Sequence, residues 1–224
     1  MKQVISVALI TLFFGLTHGG TIKDMTGKVD ILGGDKWQKA ALSMEIKNGD
    51  KIMTGINSSV RVETAGGFFE VKELSIATFK EANFAGSHDQ KISLETGKVK
   101  VRFSKVAGEQ SSFKVQTPRG TASVLGSEED VGYTSFGGMT VDVIDGHIGI
   151  FNNQGNGFAA GRGEHGGVAG SQGLFGNFDN IYTGLDQNNP FSDNDTENNT
   201  INGGLRGFTI QFIQSQAIPE PERL

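Results

Sequence analysis

Three acidic residues stand together at Glu128, Glu129 and Asp130, a dense concentration of side chains able to do chemistry. Paired carboxylates can act as acid and base on a glycosidic bond, given a cleft and a set separation. Neighbours on a strand point to opposite faces, so only Glu128 and Asp130 could work as a pair. That makes a polysaccharide-directed enzyme one reading. A charged loop or sheet edge that blocks unwanted strand pairing needs no cleft, and it is the expectation adopted here.

The other candidates are weaker. His18 falls in the leader, His88 in a polar turn, His147 after Asp145-Gly146, and His165 beside Glu164 in a glycine-rich loop. None has the spacing of a ligand pair, so no metal site is expected. Asp193, Asp195 and Glu197 resemble part of a calcium loop, but Asn198 stands where the sharp turn needs glycine. A loose calcium site is the most this segment offers. The glycines around 161–167 lack a Gly-Lys-Ser/Thr ending and a following helix, which excludes a phosphate loop. Ser123 and Ser127 lack a nucleophile-elbow sequence. With no cysteine in the chain, thiolate ligands, Cys nucleophiles and disulfides are excluded. No catalytic residue and no cofactor are therefore assigned.

What remains is recognition. Tyr133 and Phe136, beside Gly137-Gly138, read as loop aromatics that could anchor a partner or stack on a sugar. Phe208, Ile210 and Phe212 alternate in FTIQFIQ, the pattern of a strand that could add to a sheet edge. These five are the candidate partner-binding residues.

Period-two alternation bounded by Gly, Pro and Asn governs 27–162. Val60 and Val62 alternate with Arg61 and Glu63. Val99, Val101 and Phe103 alternate with Lys98, Lys100 and Arg102. Ile92 and Leu94 precede Glu95-Thr96-Gly97, which reads as a hairpin turn. Val141 and Val143 approach Asp145-Gly146, and Ile148 and Ile150 leave it, which reads as a second hairpin. The stretch 70–83 is read as strand in preference to helix. Phe68, Phe69, Phe79, Phe84, Phe103 and Phe113 fit core positions, and Trp37 is placed closing one end of the core. The expectation is an all-β domain of about ten short strands, folded as a two-layer sandwich or a rolled, β-solenoid-like sheet.

Both ends differ from this body. Residues 1–20 combine Lys2, an apolar run over 4–16 and small residues at the end, the arrangement of a cleaved signal peptide. The run is too short for a comfortable membrane span. Residues 163–224 are rich in Gly and Asn, and they read as a mostly flexible tail with a strand over 207–214. The formal net charge of −5 lacks the basic footprint that nucleic-acid binding needs.

The β region resembles the periplasmic FecR domain. The landmarks run in order: Gly27-x-Val29-x-Ile31, Trp37, Asn48-Gly49-Asp50 with Thr54-Gly55, and Ile92 to Val99 around Gly97. Thr117-Pro118, Gly126, and Val141 with Asp145-Gly146 complete the series. The run Ser127 to Asp130 departs from the family, which follows that glycine with Thr and an aromatic or aliphatic residue. In FecR-like regulators such a domain is joined through a membrane helix to a cytoplasmic anti-sigma segment. Here only a leader precedes it, so the resemblance implies a stand-alone exported form. The expected function is a non-catalytic binding module of the bacterial envelope, periplasmic or secreted. It would dock a protein or glycan through sheet edges and loops, without a membrane span after leader cleavage. A self-associating surface or matrix protein is the third reading.

Overall fold

The computed structural model describes residues 19–84, 87–104, 110–124 and 126–176. Residues 1–18 of the expected signal peptide, Asp193 to Glu197, and the candidate strand with Phe208, Ile210 and Phe212 lie outside these residues, while Gly20, the last residue of that expected leader, opens the first strand. The fold is all-β, as the alternation predicts, with seventeen strands among the described residues.

Two sheets face each other. Sheet A is ordered β4 (Glu45–Ile46), β1 (Gly20–Thr26), β6 (Ser59–Thr64), β7 (Gly67–Val71), the second half of β9 (Ser87–Phe103), β12 (Ser127–Thr134), β13 (Gly138–Asp145), β16 (His165–Val168) and β17 (Leu174–Gly176). Sheet B is ordered β3 (Lys36–Lys39), β2 (Val29–Gly33), β5 (Lys51–Thr54), β8 (Ile76–Phe84), the first half of β9, β10 (Gln110–Gln116), β11 (Gly120–Val124), β14 (His147–Asn152) and β15 (Gly157–Gly161). Neighbours are antiparallel except β9 and β10, which run parallel.

The count exceeds the expected ten for a physical reason. β3, β4 and β17 are too short to display a period, and β15 and β16 are built largely from Gly and Ala. Their backbones complete ladders without an apolar signature. The sheets also extend beyond the sequence-based boundaries: β1 begins before Gly27, and β16 and β17 carry sheet A to Gly176.

Alternation along each strand fills the space between the sheets. Val60, Val62, Phe69, Val71, Val99 and Val101 from sheet A meet Ile31, Ile52, Phe79, Ile92 and Val115 from sheet B, all essentially inaccessible to solvent. Phe69 stacks on Phe79 across the gap with ring centroids 5.5 Å apart, and Phe113 tilts against Phe103 at 5.7 Å. Aromatic pairs of this kind add about 0.5–1.5 kcal/mol beyond the area they bury. Phe68, expected in the core, instead lies on the outer face, where the Arg61 guanidinium sits 4.3 Å from its ring centre.

The two expected hairpins are corrected. At Gly97 the chain does not turn back: β9 continues through it, pairing with β8 and β10 before the bend and with β7 and β12 after it. Gly97 has φ +94°, and a Cβ there would fall 2.1 Å from Ser75 Oγ. Ser75 fixes the corner by accepting from Lys98 N (2.9 Å) and donating to Lys98 O (3.2 Å). At Asp145-Gly146 the chain passes from β13 in sheet A to β14 in sheet B, and the two strands do not pair with each other. A corner between layers and a hairpin within one need the same turn residues and the same alternation, so local sequence does not separate them.

Candidate partner-binding surfaces

The outer edge of sheet B is β3, hydrogen-bonded to β2 on one side. All four of its residues are exposed, and Trp37 is 46% accessible opposite Leu32. The expectation that Trp37 closes the core is corrected: the edge displays it. Lys36 and Lys39 flank it, and edge lysines discourage indiscriminate strand pairing.

The loop aromatics separate. Phe136 is 99% exposed at the tip of the β12–β13 turn. Thr134 Oγ1 accepts from Gly137 N at 2.9 Å, and Gly138 has φ +84° with Val168 O packed where a Cβ would be. This tight turn projects Phe136 outward. Tyr133 is not on the loop. It is the inward-facing residue near the end of β12, 7% exposed and paired with Gly97 and Met139. The inward phase of β12, set by Val131, carries Tyr133 into the core.

The acidic run is also relocated. Glu128, Glu129 and Asp130 lie on β12, an interior strand between β9 and β13, and not on a loop or edge. Glu128 and Asp130 do share the outer face. Glu128 is held by Lys100 Nζ at 2.7 Å and Arg102 Nε at 3.3 Å. Asp130 sits between Lys100 and Asp142 in register, one position in a charged row that runs Asp24, Arg61, Glu70, Lys100, Asp130, Asp142 across sheet A. Glu70 in that row loses solvation, which pushes its pKa up. The hydrogen bonds and charges of Lys72 and Arg61 outweigh this and hold it below the usual value. These contacts make Glu128 a member of an ion-pair lattice; they do not poise it as a proton donor beside a second free carboxylate.

Glu129 points the other way, into the sandwich, and is fully buried. Burial first, then the neighbouring carboxylates of Glu128 and Asp130, push its pKa up to about 8 against the lowering effect of Ser127. Its position was legible as a departure from the family pattern. Its burial was not, because that depends on which phase of β12 faces the core.

His147 and His165 are exposed at the starts of β14 and β16, and His165 stands opposite Asp142. Among the described residues, no three His, Asp or Glu side chains converge as a metal site would require. No described helix is long and apolar enough to cross a membrane.

Residues 40–149, spanning β4 to β14, match the family described as FecR protein. No curated protein matches the chain. Two crystal structures of a candidate anti-sigma factor from Parabacteroides distasonis ATCC 8503 are similar to it. One shares 13% identity over 58% of this chain with a TM-score of 0.48, and the other 15% over 62% with a TM-score of 0.36. The match spans 60% of each of those chains, and at these scores the likeness carries no functional inference. Residues 40–149 of this chain, the bulk of the described sandwich, are a FecR domain.

Proposed function

We propose that this chain is a non-catalytic binding module of the bacterial envelope, exported through its leader to the periplasm or beyond. It docks a protein or glycan partner through a sheet edge and the adjacent loops. The observation that supports this reading best is β3, whose four residues are exposed at the end of sheet B with Trp37 outward. An edge strand offers a row of backbone donors and acceptors, and an extended partner strand can complete the ladder. Phe136, almost wholly exposed on its tight turn, is the second anchor. An aromatic in this position loses little conformational freedom when a partner covers it. The segment 207–214 is the candidate donor strand, offered to an edge of this domain or of another protein.

Trp37 is the chain's single tryptophan, so its fluorescence reports this edge directly. The test captures partners from envelope extract with the full chain, with F136S, and with residues 207–214 deleted, then titrates the recovered partner against Trp37 emission. The reading requires a blue shift with the intact chain and weakened capture by both variants, each still folded. Equal capture by all three, with unchanged emission, sinks it. Self-association through the same edge would appear as concentration-dependent sedimentation of the purified chain.

A further inference from the structure

Three lysines meet on the outer face of sheet B. Lys80 stands opposite Lys91 in the β8–β9 ladder, and Lys91 opposite Lys114 in the parallel β9–β10 ladder. Their neighbours Phe79, Ile92 and Val115 are core, so the lysines take the outward phase. Strands lie about 4.8 Å apart, so three cationic side chains rise from a line roughly 10 Å long. Like charges directly opposite in a sheet destabilise it. Burial first, and then Lys80 and Lys114, lower the pKa of the central Lys91. A chain with a formal net charge of −5 thus gathers positive charge at one place.

A second row runs beside the first, two residues along each strand and about 7 Å away. It passes from Lys51 on β5 through Thr78 and Ser93 to Gln116 on β10, each opposite the next. Ile52, Ala77, Ile92 and Val115 beside them are buried, so this row also faces outward. Thr78 and Ser93 are partly accessible, and Gln116 is exposed. The acids on this face have other contacts: Asp89 accepts from Ser112 Oγ at 2.6 Å, and Glu95 pairs with Lys51 at 2.6 Å. Among the described residues, no side-chain hydrogen bond or ion pair engages Lys80, Lys91, Thr78, Ser93 or Gln116.

An occupant that fits both rows carries negative charge and hydroxyls together. Lysine is a compact point charge with three donors, and it suits an anion of any shape. Ser and Thr hydroxyls and the Gln amide both donate and accept, which matches the hydroxyls of a sugar. An acidic sugar brings a carboxylate and several hydroxyls on each ring, so a chain of them lying across the strands engages both rows. Single-stranded nucleic acid needs aromatic side chains for its bases, and neither row holds one between β5 and β10. An anionic lipid surface meets the lysines but gives the hydroxyl and amide row few partners.

We propose that the outer face of sheet B, from β5 to β10, binds an acidic polysaccharide. Lys80, Lys91 and Lys114 hold its carboxylates, and Thr78, Ser93 and Gln116 hold its ring hydroxyls. Bound carboxylates offset the repulsion along the lysine row, so the ligand stabilises the folded sheet as it docks. The face is distinct from the β3 edge and the Phe136 turn, so this inference stands apart from the edge-docking reading.

The test is calorimetric titration of the full chain at low salt with a galacturonate oligosaccharide, and separately with a neutral glucan oligosaccharide of equal length. The acidic sugar should bind, and the neutral one should bind at least about tenfold more weakly. K80Q/K91Q/K114Q should weaken binding of the acidic sugar by at least about tenfold. Because that variant removes opposed like charges, it should melt no lower than the parent chain. K23Q/K36Q/K39Q removes the same charge elsewhere and should leave the affinity within about twofold. S93A/Q116A keeps every lysine and tests the second row by itself, with binding weakened severalfold. F136S should bind the acidic sugar as the parent does, which separates failure here from failure of the edge-docking reading. No binding of the acidic sugar, equal losses in the two lysine variants, unchanged affinity in S93A/Q116A, or tighter binding to phosphatidylglycerol vesicles overturns the proposal.

Discussion

The Ser127 hydroxyl lies 2.8 Å from Oε2 of Glu129, and the other carboxyl oxygen, Oε1, has no hydrogen-bond partner among the described residues. One short contact thus serves a side chain fully enclosed between two sheets. A protonated acid tolerates this environment far better than an ionised one.

A specific pH dependence results. The folded pKa of about 8 lies above the ordinary value of 4.5, so the folded chain holds a proton that the unfolded chain releases. Stability falls as pH rises from about 4.5 to about 8, at up to about 1.4 kcal/mol per unit from this group, and levels off above. E129Q keeps the shape and removes the titration. Its melting temperature relative to the parent should therefore climb through that window. Parallel curves for the two proteins would contradict the assignment.

Phe79 stacks on Phe69 across the layers, and neither ring is accessible. F79A should cost about 3–5 kcal/mol in urea unfolding, from lost burial and the cavity left behind. A loss under 1 kcal/mol would show that the layers close over the gap.

Glu128 bridges Lys100 and Arg102 on a partly sheltered face. A double-mutant cycle of E128Q with K100Q should give a coupling of about 0.5–1 kcal/mol, reduced in 0.5 M salt. If Glu128 instead served catalysis, E128Q would abolish turnover of a polysaccharide while leaving stability unchanged.

Gly97 occupies a positive-φ corner with Ser75 in the space a side chain would need. G97A should destabilise by at least about 2 kcal/mol. By contrast, alanine at Gly34, which has φ +62° but open space around it, should cost about 1 kcal/mol. Equal losses at the two positions would mean that backbone strain alone decides both.

Much of the sandwich was legible because alternation is a local property. Val60, Val62, Val99, Val101 and Ile92 all face inward as the pattern requires. What could not be read was partnership between strands. Gly97 and Gly146 looked like hairpin turns because their flanks alternate correctly, and only the ladders reveal that each joins different layers. The same gap hid the lysine row: Lys80, Lys91 and Lys114 are scattered in sequence and meet only through two registers. Of the surface candidates, Phe136 is exposed on its glycine-rich turn. Tyr133 was misplaced because it lies just before that turn, where β12 still points inward.

Every backbone ladder between the strands before β9 and those after it, among the described residues, runs through β9 itself. The molecule is thus two leaves bound along a single spine. Its amides in 90–103 should be the last to exchange with deuterium, since exposing them means parting the leaves. Cutting the backbone within that spine should disable both leaves at once, whereas a nick before β2 or after β15 would shed only a margin.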